Sequence, residues 1–390
     1  MNKKLWLIAV IVVTAFCMFK LYSLTEEETN IDKESRGIFD SYIECTKYLN
    51  NKDSKKIKSE ISNIIDNISK LHFNRVYLQV RPFSDSIYKS SIFPSSYTVV
   101  ENQGDELTVD ILDYFIKTAK AKNIEIYAWI NPYRISNDTD ITKISVNNPA
   151  YKWLDTNNVK IIKDRGIFYN PSSQEVINLI VDGVKEIVTN YQVDGIIMDD
   201  YFYPDDSIDL VDYKEVENSI SLTDYRLSKV NELISSIYKN IKNINPKIQF
   251  GISPDGNINN NYEIHYADVK KWLKDDGYID FIMPQLYYGF NNEAKPYIKT
   301  LNEWNSLIKN NTKLIVALSL YKSGSIDNYA KNGKYEWIEN DNIIKKQIQV
   351  ARNLTNCIGY SIFRYDYFFD FADNLNLQGE INNYKNLFEF

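Results

Sequence analysis

The chain has 390 residues, 44% of them apolar and 25% charged, with a formal net charge of −7. That length holds one large domain or two ordinary ones, and the acidic balance excludes nucleic acid as the main partner, since phosphate binding needs a basic field. The 2 His stand far apart and the 3 Cys form no CxxC pair, which removes His-clustered zinc sites and thioredoxin-type redox chemistry.

Lys3 and Lys4 precede an apolar run over residues 5–19, the pattern of a secretory signal or an N-terminal anchor. Residues 1–24 are therefore expected to be a signal peptide or membrane anchor, and the acidic, polar residues 25–35 a linker. No good small-residue cleavage site follows the run, which favours an anchor that stays in place. The remaining 36–390 then lie outside the membrane, facing the cell wall. Cys45 and Cys357 permit a disulfide in that compartment but read better as two small buried residues.

From there the chain alternates short β-branched or aromatic runs with amphipathic stretches. Strands are predicted at 37–44, 75–79, 125–130, 195–198, 249–252, 281–283, 313–318 and 358–363. Helices are predicted at 54–70, 109–122, 173–191, 222–243, 265–276, 294–309 and 341–353, followed by a tail. Eight strands with seven intervening helices make an α/β chain of a single (β/α)8 (TIM) barrel. No GxGxxG follows any strand and no GxxxxGK[ST] occurs, so neither a dinucleotide fold nor a P-loop is offered.

In such a barrel the chemistry sits at the carboxyl ends of the strands. Those ends carry carboxylates, amides, arginines and aromatic rings, with no Ser-His pair and no metal cluster, so no cofactor or metal is expected. The mixture suits carbohydrate: planar polar groups meet hydroxyls, and rings meet the C–H faces of sugars. Glycosidic cleavage needs one carboxyl group to protonate the leaving oxygen and a second to stabilise or trap the positive centre. Asp199 and Asp200 form an adjacent acidic pair ending an apolar strand. Asp199 shares the phase of Gly195 and Ile197, so it is the candidate central catalytic carboxylate, with Asp200 as its partner or the acid. The other reading of the pair is a solvated or helix-capping one. Asp85 reads equally as a loop cap. Arg81 and Arg134 would grip acidic groups on a substrate or pair with the aspartates.

Several of these segments are familiar together. Val-Arg-Pro-Phe-Ser-Asp-Ser-Ile-Tyr-Lys-Ser (80–90), Ala-Trp-Ile-Asn-Pro-Tyr-Arg (128–134) and Val-Asp-Gly-Ile-Ile-Met-Asp-Asp-Tyr-Phe-Tyr-Pro (193–204) resemble the glycosyl-hydrolase-like 10 family. Gly-Ile-Ser-Pro (251–254) and Met-Pro-Gln-Leu-Tyr-Tyr (283–288) fit it too, and the resemblance is read from about Arg36 to the C-terminus. It implies an exported bacterial glycosidase-type barrel with Arg81, Asp85, Asn131, Tyr133, Arg134, Asp200, Tyr203, Gln285 and Tyr287 lining the site. Asp194-Gly195 followed by Asp199 is also similar to the strand-four motif of amylase-type enzymes, where the second Asp is the nucleophile. In the chitinase-type motif the acid is a Glu, which would fall near Tyr201 and is missing. Asp255 stands where the family usually has an apolar residue, and it would serve as an adapted acid or favour a cationic, deacetylated glucosamine.

The expected function is thus an exported glycoside hydrolase acting on a cell-wall-type polysaccharide, peptidoglycan first among them. The alternative is a non-catalytic barrel that binds glycan at the cell surface. A polysaccharide esterase is disfavoured by the lack of paired histidines and of a GxSxG elbow.

Overall fold

The computed structural model describes residues 34–371 and 373–388. The chain divides into two compact units, Met1–Ser35 and Arg36–Phe390, and the barrel belongs to the second. The expected leader at 1–24 and most of the linker lie outside the described residues. Among the described residues, no helix is long and apolar enough to cross a membrane.

Eight parallel strands close the barrel: β1 (Ser35–Asp40), β2 (Arg75–Arg81), β3 (Glu125–Ile130), β4 (Gly195–Met198), β5 (Gln249–Ile252), β6 (Phe281–Ile282), β7 (Lys313–Ser319) and β8 (Cys357–Phe363). Each pairs with its sequence neighbours, and β8 returns to β1. This is the (β/α)8 barrel that the alternation predicts. Alternate residues point inward, and they fill the floor with large rings: Phe39, Tyr77, Tyr127, Trp129 and Phe281, joined by Ile197 and Met283. Glycines make room for them, since a Cβ at Gly195 would collide with the Tyr127 ring and one at Gly251 with the Phe281 ring. Bulk on one strand is thus matched by its absence on the next, and the floor is packed shut.

The opposite phase of each strand meets the helices. In helix Ser54–Lys70 the buried side chains are Ile57, Ile61, Ile64, Ile65 and Ile68, the spacing of one apolar stripe. Each buried isoleucine contributes about 1.5–3 kcal/mol of transfer free energy. Cys45 lies in this outer core as an unbonded thiol, so it forms no disulfide with Cys357.

Two local departures from the predicted elements have physical causes, and two further elements are unpredicted. The first strand stops at Asp40 rather than running to 44, because Ser41 and Glu44 form a capping box that starts helix Tyr42–Leu49. The helix predicted at 265–276 shrinks to Val269–Trp272: Tyr266 has φ +50°, and Asp268 caps the new start. The β3–β4 connection carries an unpredicted antiparallel sheet of Arg134–Ser136, Gly166–Tyr169 and Val159–Ile162, in that spatial order. A further helix, Leu375–Lys385, lies in the predicted tail.

At the end of β1, Asp40 is buried, and neither of its carboxyl oxygens has a hydrogen-bond partner. Arg364 nearby is taken up by Glu44 at 2.7 Å and Asp366 at 2.6 Å. Burial first, and then the Glu44 and Asp366 charges, push Asp40 well above the carboxylate range, against a weaker pull from Arg364. Asp40 is therefore harder to ionise in the folded protein than in the unfolded chain, where it titrates at its ordinary value. Its contribution is fully favourable below the unfolded pKa and is lost as pH rises toward the folded one. Melting curves taken from roughly pH 5 to pH 8 should show the native protein losing stability relative to Asp40→Asn as pH rises. Parallel curves for the two proteins would show that the acid does not titrate in this way.

Candidate active site

β4 ends at Met198, and the next residue, Asp199, turns its carboxylate into the buried mouth of the barrel with only 4% of its surface exposed. A carboxylate in that position needs donors. Asn131, just past β3, gives its side-chain amide to both oxygens, at 3.0 and 2.9 Å. Trp129 Nε1 donates to Oδ2 at 3.2 Å and the Tyr201 backbone N–H to Oδ1 at 3.4 Å. Asn131 is itself held, because its Oδ1 accepts from Gln79 Nε2 at 2.6 Å, and Gln79 Oε1 accepts from the Tyr42 backbone N–H at 2.9 Å. A line of amides thus crosses the mouth from the first strand end to the fourth, fixing the amide orientations one after another.

Asp200 is half-buried, with Oδ1 accepting from Gln285 Nε2 at 3.2 Å. The same Gln285 nitrogen reaches Ser253 O at 3.1 Å, and bridges from Asp255 to Gln285 and from Gln285 to Ala317 extend the pairing of β5, β6 and β7 above the strands. Burial, then the neighbouring Asp200 charge, pushes Asp199 up to about 7, opposed by Arg134 and the Asn131 hydrogen bonds. Asp200 is also raised, chiefly by burial, with His265 pulling the other way. The two carboxyls titrate as a coupled pair, in which a charge on Asp200 disfavours ionisation of Asp199.

Asp255 behaves differently. Burial raises it, but His265, the Asn257 backbone N–H at 2.7 Å and Asn260 Nδ2 at 2.9 Å together outweigh burial and leave it below the ordinary range. His265 Nε2 stands 3.7 Å from its Oδ2. Asp255 is therefore a charged support with its oxygens engaged, in contrast to the raised pair.

Arg134 reaches the rim from the small sheet, where it pairs with Phe168. Its guanidinium lies among the rings of Phe83 (4.7 Å), Tyr201 (5.2 Å) and Tyr42 (5.7 Å), an arrangement that holds a cation by ring faces. Tyr287 is half-buried, and the charges of Asp199 and Asp200 both act on its hydroxyl. Asp199, Asp200, Asn131, Arg134, Asp255, Gln285 and Tyr287 thus come together.

Four other candidates lie elsewhere. The register shifts between Gln79 and Arg81, and such a bulge reverses which way the next side chain points. Arg81 consequently packs on the helix side, over the Phe93 ring at 4.5 Å, where a Cβ on Gly183 would meet its Nη1. Tyr133 is buried in the outer core. Tyr203 donates to Asp209 at 3.0 Å, and Asp209 pairs with Arg226 at 2.8 Å, behind the loop that follows β4. Asp85 is buried beneath its own loop, accepting from Gln103 at 2.9 Å, and burial pushes it up to about 6. Gln79 and His265 were not among the candidates. Gln79 shares the inward phase of Tyr77, which is a readable signal. His265 carries none, because its turn depends on the backbone of Tyr266.

The decisive comparison is with families of sequence. The glycosyl hydrolase-like 10 model matches residues 35–337. The chain belongs to this family. The matched stretch ends before β8, short of the C-terminus to which the resemblance is read from the sequence alone. Glycosyl hydrolase YngK of Bacillus subtilis (strain 168) is 31% identical over 292 residues, covering 69% of this chain and 56% of that protein. The chain thus spans little more than half the length of that relative. Glycosyl hydrolase DigH of Escherichia coli (strain K12) is 28% identical over 337 residues, covering 78% of this chain and 74% of that one. Among solved structures, the PgaB (BpsB) glycoside hydrolase domain from Bordetella bronchiseptica shares the fold with a TM-score of 0.56 at 13% identity, covering 88% of this chain and 98% of that one.

The site's electrostatics make opposite predictions for two neighbours. Asn131→Ala removes donors that favour the Asp199 charge and should move its titration above about 7, whereas Asp200→Asn removes a like charge and should move it down. Carboxyl ¹³C chemical shifts followed against pH would read both directions.

Proposed function

We propose that the protein is an exported glycoside hydrolase that cleaves a cell-wall polysaccharide, with peptidoglycan as the substrate, using Asp199 and Asp200. The observation that carries this reading is the raised carboxyl pair at the barrel mouth, one member of which receives four donated hydrogen bonds. Those donors fix the orientation of Asp199, and Asp200, which accepts from Gln285, is left to act as the acid. Asp200 then protonates the glycosidic oxygen, and the Asp199 carboxylate stabilises or traps the oxocarbenium-like centre. Arg134 and Tyr287 flank the pair and position the sugar. Family membership supports the class of reaction. The leader pattern at 1–24 supports a place outside the membrane, where peptidoglycan is the nearest abundant glycan.

The Asp255 oxygens are engaged by Asn257, Asn260 and His265, so a preference for deacetylated glucosamine draws no support from them. The test counts new reducing ends after incubation with peptidoglycan and with chitin-type oligomers. Release should fall by about 10³-fold or more in Asp199→Asn with the melting temperature kept. Binding without release by the native protein would instead favour a glycan-holding barrel. The requirement for one protonated and one ionised carboxyl also predicts that kcat/KM falls on both sides of an optimum, and the two limbs report the Asp199–Asp200 pair as a whole.

A further inference from the structure

Beyond the carboxyl pair, one side of the mouth continues as a run of aromatic rings, of which only the first takes part in the proposed reaction. It begins at Tyr287, whose ring centroid lies 5.9 Å from that of Tyr321, in the turn Leu320–Lys322 after β7. Tyr321 lies 6.1 Å from Tyr367, in the turn Tyr365–Phe368 after β8. Tyr367 stacks on Phe371 at 4.6 Å with 19° between the planes. Exposure rises along the run, from half-buried Tyr287, Tyr321 and Tyr367 to Phe371 at 42%.

The run is braced from beneath. Lys322 Nζ donates to Tyr287 O at 2.7 Å and pairs with Asp327 at 2.9 Å, tying the Tyr321 turn to the mouth. The Arg364 guanidinium lies 5.4 Å from the Tyr367 ring and is itself held by Glu44 and Asp366. Rings fixed in this way lose little freedom when a ligand settles on them. Their edges and faces are apolar and their hydroxyls polar, which is the surface a pyranose presents in complement. Tyr367 and Phe371 lie past residue 337, where the family match ends.

We propose that Tyr321, Tyr367 and Phe371 form binding subsites for successive sugar units of a long glycan strand, extending away from the scissile bond at Asp199 and Asp200. This rests on the glycosidase reading and adds that the enzyme works on extended strands, with efficiency that climbs with strand length. Continuity with Tyr287 commits the occupant to the same polymer that enters the mouth.

The experiment uses the full chain and peptidoglycan glycan strands fractionated by length. It measures kcat/KM and, separately, binding by calorimetry for the native protein, for Tyr367→Ala with Phe371→Ala, and for Tyr367→Phe. The native protein should favour long over short strands, and the double variant should lower that ratio by about fivefold or more, the effect of losing one good ring contact. Tyr367→Phe, which keeps the ring, should retain the ratio, and kcat/KM on short strands kept by the double variant shows that it folds. An unchanged ratio in the double variant, or a native protein indifferent to length, overturns the proposal. Length-dependent binding without cleavage would leave the subsites standing and remove the glycosidase reading beneath them. Absence of both binding and cleavage would remove both.

Discussion

A charge kept out of water must be met by donors that cannot turn away, and this requirement organises the mouth of the barrel. Asp199 satisfies it through Asn131, whose orientation is set by Gln79, whose own orientation is set by a backbone N–H at Tyr42. An amide that gives its nitrogen to one neighbour must show its oxygen to the other, so each bond dictates the next. Because the members come from the ends of β1, β2, β3 and β4, the line can form only when those four strands are in register. The parallel ladders of the barrel set that register, and the closed floor of rings beneath adds the low-dielectric surroundings that raise the two carboxyls.

Much of the architecture was legible in the amino-acid sequence, since parallel barrel strands are short apolar runs and the helices between them carry a regular stripe. Asp199 was legible for the same reason: β4 keeps its alternation to the end. Arg81 shows where that logic stops. A one-residue irregularity in β2 sends it to the helix side, and nothing in Gln-Val-Arg announces a bulge. Tyr133 and Tyr203 lie away from the cluster for another reason, because a tyrosine after a strand packs as readily behind a loop as over a cleft. His265 depends on a left-handed backbone at Tyr266, a residue type that rarely adopts it.

Position 255 shows how one substitution is absorbed. A carboxylate where the family resemblance leads one to expect an apolar side chain would be costly without partners. Here Asn257, Asn260 and His265 surround it, and Gln285 links the same strand ends to Asp200. The local field on Asp200 therefore includes an acid and a histidine of opposite influence, and neither can be altered without disturbing the other.

The small antiparallel sheet between β3 and β4 carries Arg134 to the rim while adding no strand to the barrel wall. Its hydrogen-bond ladder is separate from the one that sets the registers below. Chain could be inserted, shortened or exchanged in that excursion without shifting a single donor to Asp199. A change in that excursion would act on Arg134 and its ring contacts, and through that charge on Asp199, while the barrel wall stays as it is.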